Sequence, residues 1–163
     1  MDKHKTIISF FVIIIFTIFI IGCSIEKSSS LTKTIIFDVN TGEKIKITLN
    51  MRNGGKYDMS SSTPILLTNN KIKIGEIEFL SYEGYNRLDN ISKENVEFTI
   101  LEEEENNEVF FSFYKFENND VVEFVYLALI NNSITGVVIY FENNIPQESA
   151  KELINNLTFE KII

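Results

Sequence analysis

The sequence predicts an α+β fold, in which an antiparallel β-sheet meander with N-terminal hairpins is accompanied by one C-terminal helix. Runs of Val, Ile, Phe and Tyr about ten residues long alternate with Asn-Asn pairs in the second half of the chain. Asparagine tolerates a positive φ and hydrogen-bonds its own backbone, so these pairs are natural turns between strands. Near the C-terminus the apolar spacing changes from a strand period to a helical one. The pairs are Asn69-Asn70, Asn106-Asn107, Asn118-Asn119, Asn131-Asn132 and Asn143-Asn144.

Two hairpins are predicted before the meander. Asn40-Thr41-Gly42 separates the strands of the first, because glycine is available for a left-handed position. Asn69-Asn70 separates the strands of the second. The stretch between the hairpins, residues 53–63, is rich in Gly and Ser and is expected to be irregular. The predicted strands are 33–39 with 44–49, and 65–68 with 71–80.

The meander is predicted to contain a central strand that is apolar on both faces. In the segment 121–130, Val125 and Leu127 point to one side, whereas Phe124 and Tyr126 point to the other. Both faces of such a strand must be covered by other parts of the protein. A helix of about 11 residues is only roughly 16 Å long and cannot cover a four-stranded sheet alone. We therefore expect the hairpins to supply the remaining cover, or else part of one face to be a binding surface. The predicted strands are 96–102, 108–116, 121–130 and 134–141.

The C-terminal helix is predicted from its apolar spacing. Ala150, Leu153, Ile154 and Leu157 fall at i, i+3, i+4 and i+7. Pro146 precedes them and suits a first helical turn. A short strand over 158–162 is expected to close the sheet.

The order of these elements resembles the PsbP-like fold of small secreted or lipid-anchored proteins. The features that carry the resemblance are an N-terminal hairpin, a long aromatic meander, and a terminal helix over residues 146–154 that leads to Leu157 and Phe159. The resemblance implies an accessory or binding protein. No catalytic motif carries over.

The beginning of the chain has the pattern of an exported protein. Lys3 and Lys5 precede residues 7–21, which are almost wholly Ile, Phe and Val, and Gly22 and Cys23 follow this run. The arrangement resembles a bacterial lipoprotein signal. It implies cleavage after Gly22 and the attachment of diacylglycerol and palmitate to the protein at Cys23. The alternative is a transmembrane anchor, which requires about 20 apolar residues.

The resemblance to a lipoprotein divides the chain into three parts. Residues 1–22 are the expected signal peptide, 23–32 the lipidated cysteine with a disordered tether, and 33–163 a single globular domain. The polar tether spans at most about 30 Å when extended. We expect a protein that is lipid-anchored to the membrane on its extracytoplasmic face. The high content of Ile, Asn and Lys indicates an AT-rich genome, and together with the short tether it favours a Gram-positive host.

Composition excludes several classes of function. Without Asp2, Lys3 and Lys5 the chain keeps 13 basic and 22 acidic residues, so nucleic acid is not an expected partner. His4 is the only histidine and leaves with the signal peptide, while lipid blocks the thiol of Cys23. These losses remove histidine and thiol catalysis and the common transition-metal ligands. We therefore expect no enzymatic activity, no catalytic residues, no metal and no cofactor.

Two segments contain oxygen ligands of the kind that calcium prefers. Glu102 to Glu105 with Glu108 form the densest charge cluster, but consecutive residues of a strand point apart, so a solvated hairpin tip is favoured. Asp38 to Glu43 begins like a calcium loop. Its glycine comes one position early, and Leu49 replaces the bidentate acid. A hairpin turn is expected there.

The segment 81–87 is the best candidate for ligand contact. Tyr82, Tyr85 and Arg87 bring aromatic and basic side chains together around a flexible glycine, outside any strand pattern. The alternative is a strand end whose tyrosines cap the core.

The function expected from these observations is a non-enzymatic surface lipoprotein that binds a protein, peptide or envelope component. The alternative is a carboxylate-dependent hydrolase that acts on cell-wall polysaccharide, with two acids about 5 to 9.5 Å apart. The absence of tryptophan, which would stack on sugar rings, lowers that option. A third class, a structural spacer or solute-capturing module, depends on whether a closed apolar pocket exists. The sequence leaves the oligomeric state open.

Overall fold

The computed structural model describes residues 31–51, 56–143 and 145–162. The expected signal peptide, Gly22 and Cys23 lie outside the described residues. The first strand begins at Leu31, two residues inside the predicted tether, so the folded domain starts earlier than the sequence indicated. In the part of the chain that is described, no helix is long and apolar enough to cross a membrane.

The α+β class, the antiparallel meander and the C-terminal helix are confirmed. All strand pairs are antiparallel. The described elements are β1 (Leu31–Asp38), β2 (Lys44–Met51), β3 (Tyr57–Met59), β4 (Ile65–Asn69), β5 (Ile72–Ser81), α1 (Tyr82–Glu94), β6 (Phe98–Glu105), β7 (Val109–Asn118), β8 (Val121–Ile130), β9 (Thr135–Phe141), α2 (Gln147–Ile154) and β10 (Leu157–Ile162).

The strands form two sheets instead of one. The small sheet has the order β1-β2-β10, and the large sheet has the order β3-β4-β5-β9-β8-β7-β6. The last strand therefore pairs with β2, with Leu157 opposite Leu49 and Ile162 opposite Lys44. It does not extend the meander.

Asparagine turns separate the meander strands, as predicted. Asn70, Asn119 and Asn132 have φ values of 49°, 53° and 58°, at the turns before β5, β8 and β9. Such positive values are tolerated by asparagine because its side chain hydrogen-bonds locally. In the first hairpin, Gly42 has a φ of 83° and donates its N–H to the carbonyl of Val39 at 2.9 Å. The segment 38–43 is thus a hairpin turn.

The large sheet is buried on both faces around β8, as predicted. Phe124 and Tyr126 belong to the main core beneath the small sheet and α2, whereas Val125 and Leu127 belong to a second core beneath α1. The rings of Tyr126 and Phe159 are stacked 6.5 Å apart and join β8 to β10. Only the first hairpin supplies cover, because the second, β4 with β5, is part of the large sheet itself.

Helix α1 was not predicted from the sequence. Ser81 caps it by accepting the Gly84 N–H at 3.2 Å, so the segment 81–87 is a helix start. Its buried face carries Tyr85, Asp89 and Ser92, at i, i+4 and i+7. Because two of these three residues are polar, the hydrophobic period that identifies a helix is hidden.

The expected irregular stretch also contains a short strand. Tyr57 and Met59 of β3 are buried and Asp58 is exposed, which is a strand alternation only three residues long. The phenol of Tyr57 donates to Glu152 Oε2 at 2.7 Å and ties β3 to α2. The prediction for residues 53–63 is therefore wrong at these positions.

Gly136 fixes how closely α1 approaches the sheet. A Cβ at this position of β9 would lie 2.9 Å from Cβ of Tyr85 and 3.3 Å from the Ala128 carbonyl oxygen. We expect Gly136→Ala to lower the free energy of unfolding by about 1 to 3 kcal/mol, because the helix must shift. Urea denaturation measures the change.

The control is Gly84→Ala, whose nearest neighbour is Ser81 Oγ at 3.4 Å. That variant should be unchanged or up to about 1 kcal/mol more stable, since alanine favours helices. An equal loss of unfolding free energy in both variants would contradict the role of Gly136 in setting the distance between α1 and the sheet.

Candidate functional site

A cleft lies along the outer side of β10, and we call it the β10 groove. One wall is β10 itself, the other is the turn formed by Asn106, Asn107 and Glu108 between β6 and β7. Two adjoining cavities of about 630 and 370 Å³ make up the groove and share Asn107, Glu108 and Phe159. Its size is suited to several side chains of a partner.

The groove exists because the small sheet is narrower than the large one. β10 is the last strand of the small sheet and lies over β8, as the stacking of Phe159 on Tyr126 shows. The large sheet continues past β8 to β7 and β6. The face of β7 next to β10 therefore lies at the foot of a step between the sheets, where Phe111 is 9% exposed and Val109 is 4% exposed.

The floor of the groove is aromatic. The rings of Phe111 on β7 and Tyr126 on β8 are 5.2 Å apart, and both residues line the smaller cavity with Phe159. Burial, aided by the negative charges of Glu108 and Glu102, raises the pKa of Tyr126. The phenol therefore stays neutral across the physiological range, and Tyr126 as a whole is 3% exposed.

The wall of the groove is an open strand edge. The N–H of Asn50 donates to the carbonyl of Asn156 at 2.8 Å, which fixes the phase of hydrogen bonding between β2 and β10. In an antiparallel pair, bonded and non-bonded positions alternate. Thr158 and Glu160 consequently bond to β2, whereas the N–H and C=O groups of Phe159 and Lys161 point to the open side.

Carboxylates line the rim of the groove. Glu104 is opposite Phe111 in the β6–β7 register and so shares its face, and Glu108 lines both cavities. Among the described residues, no Lys or Arg lies within ion-pair distance of either. Nor do any three acidic side chains in these ranges approach closely enough to hold a metal ion.

The neighbouring glutamates are divided between the two faces of β6, as expected for a strand. Glu102 pairs with Lys151 of α2 at 3.0 Å, and Glu103 pairs with Lys93 of α1 at 2.7 Å. These two carboxylates connect β6 to helices on opposite sides of the sheet. These two carboxylates are held in ion pairs, as is Glu160, which lines the larger cavity and pairs with Lys46. Glu108, which lines both cavities, and Glu104, on the Phe111 face of β6, have no such pair among the described residues.

A partly buried carboxylate holds the end of β10 in place. Glu43, in the first hairpin, is 11% exposed; it pairs with Lys161 of β10 at 2.7 Å and accepts the Thr135 hydroxyl at 2.7 Å. Its side chain also accepts the hydroxyl of Ser133 and the Ile134 N–H. Burial alone would raise the pKa of Glu43, but these hydrogen bonds and the lysine charge lower it to about 2.

The residues predicted for ligand contact lie on α1, on the other face of the large sheet. Tyr82 and Arg87 are exposed, whereas Tyr85 is 3% exposed and packs toward the sheet with its hydroxyl buried and unpartnered among the described residues. Burial, with the charge of Asp89, raises the pKa of Tyr85 to about 12. The structure therefore does not bring the three side chains onto one surface, and their contact with a ligand stays a prediction.

Of the groove residues, the sequence singled out Glu108, as part of an acidic cluster, but not the aromatic ones. Phe111 and Tyr126 have the pattern of ordinary core residues, and Asn107 has that of an ordinary turn. The sequence did show that both faces of the meander are apolar and must be covered, and this left open that part of one face is a binding surface. The edge position of β10 depends on long-range pairing that local patterns do not contain.

Comparison with known proteins does not identify this site, since no family model, curated protein or solved structure matches the chain. The groove is therefore interpreted from its own contacts, burial and charges.

Replacing Glu43 tests its role at the end of β10. We expect Glu43→Gln to lower the free energy of unfolding at pH 7 by about 1 to 3 kcal/mol, because the shift of pKa from 4.5 to about 2 corresponds to roughly 3 kcal/mol at most. A lowered pKa stabilises the fold above pH 4.5, and this stabilisation is lost as the pH falls toward 2. The difference between wild type and variant should therefore shrink in acid, as measured by urea denaturation across this range.

The matched control is Asp38→Asn in the same hairpin. Asp38 pairs with Lys44, but its side chain is 81% exposed. Its replacement should change the free energy of unfolding by less than about 0.5 kcal/mol. A difference between Glu43→Gln and wild type that is independent of pH would contradict the role of the carboxylate.

Proposed function

We propose that the protein is a membrane-anchored surface lipoprotein that binds a protein or peptide partner, without catalysis, in the β10 groove. The observation that carries the proposal is the open edge of β10 above the aromatic floor of Phe111 and Tyr126. Phe111 and Tyr126 are 9% and 3% exposed and so offer a narrow apolar strip, and the unpaired backbone groups of an edge strand supply directed hydrogen bonds. Together they are suited to an extended polypeptide segment.

The anchor supports a function at the cell surface. The lipoprotein pattern at Gly22 and Cys23 is followed by few residues before β1 begins at Leu31. A connection of eight residues, Cys23 to Ser30, spans at most about 30 Å. The domain would consequently meet partners close to the extracytoplasmic face of the membrane, and the resemblance to the PsbP-like fold favours the same accessory role.

The geometry of the groove favours binding over polysaccharide hydrolysis. Acid–base cleavage of a glycosidic bond uses two carboxylates that face each other. The carboxylates among the residues that line the larger cavity are Glu108 and Glu160, and Glu160 is held in an ion pair by Lys46. The groove is also open along one side, which is better suited to an extended chain than to a captured solute.

A photo-crosslinking amino acid tests the location of the binding surface. We expect its incorporation at Asn107, in the full-length protein in living bacteria, to give a discrete adduct with another polypeptide. The comparison position is Arg87, which is exposed on the opposite side of the large sheet. Adducts from position 87 alone would place the partner on α1 and contradict binding in the β10 groove. Immunoblotting for the protein detects either adduct.

Replacement of Cys23 tests the anchor. We expect Cys23→Ser to abolish labelling with radioactive palmitate and to move the protein out of the membrane fraction, because the thioether cannot form. The control is Ser24→Ala, which leaves the thiol intact. Mass spectrometry that finds an unmodified Cys23 in the wild-type protein would contradict the lipoprotein assignment.

A further inference from the structure

We infer that the partner contributes an extended, basic segment that adds a strand to the open edge of β10. This inference rests on the proposed function and specifies the chemistry of the partner. It combines three independent features of the groove: the hydrogen-bonding edge of β10, the position of the aromatic floor, and the charge of the rim.

The first feature is the availability of β10 compared with other sheet edges. β3, at one edge of the large sheet, has only three residues. β6, at the other edge, has a run of four glutamates and a register shift between Ile100 and Glu102. Charged residues and bulges of this kind discourage strand addition. In the small sheet both edge strands pair regularly with β2, β1 over eight residues and β10 over six, but of these two strands only β10 lines the groove.

The second feature is the position that an added strand would take. β10 lies over β8, and the next strand of the large sheet is β7. A strand paired with β10 would lie about 4.8 Å further along the small sheet, and hence over the β7 side of the groove. Every second side chain of such a strand points toward Phe111. We therefore expect apolar residues at alternate positions of the bound segment.

The third feature is the charge of the rim. Glu104 and Glu108 have no ion-pair partner among the described residues, whereas the nearby Lys151 and Lys161 are paired with Glu102 and Glu43. Both lysines are already paired, so the charge that the groove offers to a partner is negative. The whole chain has a formal charge of −8, which also attracts a basic partner and repels a second copy of itself. Basic residues are thus expected in the segment, beside the apolar ones.

The backbone part of the inference is tested by amide hydrogen exchange. The probe is a short capped peptide that alternates lysine with valine. In the free protein, the amides of Phe159 and Lys161 should exchange faster than those of Thr158 and Glu160, which bond to β2. Addition of the peptide should slow the exchange of Phe159 and Lys161 by about tenfold or more. A peptide methylated on the backbone nitrogens that would bond to β10 should not protect them.

The charge part of the inference is tested with reversed glutamates. We expect E104K/E108K to weaken binding of the lysine–valine peptide by at least about tenfold, as measured by isothermal titration calorimetry. The control is E83K/E94K, which changes the net charge equally but alters exposed residues of α1 on the other side of the sheet. That control should lose less than about threefold. Circular dichroism verifies that both variants are folded.

Several outcomes would overturn the inference. A glutamate–valine peptide that binds as tightly as the lysine–valine peptide would refute the basic partner, and equal losses in both charge variants would reduce the effect to net charge. Binding without protection of Phe159 and Lys161 would refute strand addition. In each case a crosslink from position 107 would still support the proposed function. Protection of the same amides by dimerisation, detected by light scattering, would make a second copy the occupant and overturn the basic segment.

Discussion

The fold depends on burying the central strand β8 from both sides. Because Phe124 and Tyr126 point one way and Val125 and Leu127 the other, a single sheet with one solvated face would expose a row of large apolar side chains. Two different layers meet this requirement. The small sheet and α2 cover one face, and α1 covers the other. The groove is a result of this arrangement, since three strands cannot cover a sheet of seven.

Much of the fold could be predicted from local sequence. The meander strands have apolar runs bounded by asparagine, and the positive φ values of Asn70, Asn119 and Asn132 show why that residue ends them. The C-terminal helix has an apolar period that is not interrupted. Helix α1 was missed because Asp89 and Ser92 occupy its buried face, where Asp89 accepts the Tyr114 hydroxyl at 2.6 Å and pairs with Lys93 at 3.0 Å. Polar burial of this kind is decided by tertiary contacts.

The candidate site could not be predicted in the same way. Its floor consists of residues whose pattern is that of any core strand, and its wall is an edge only because β10 pairs with β2. That pairing joins Leu49 to Leu157, far apart in sequence. The charge of the site was visible as the glutamate run of β6. How this run is divided can be read only from the register of the strands. Glu102 and Glu103 pair with helices on opposite faces of the sheet, and Glu104 remains on the side of the groove.

The small sheet unites the first and last strands of the described chain on either side of β2. A polypeptide that emerges from a ribosome or an export channel with its amino end leading presents β1 and β2 long before β10 exists. Until β10 has emerged, β2 has a vacant side and Tyr126 lacks the ring that stacks on it. Completion of the small sheet therefore depends on contacts between residues far apart in sequence, and such contacts form slowly. During that interval the edge of β2 that β10 later covers is unpaired and open to other strands, whereas in the folded molecule β2 is paired on both sides.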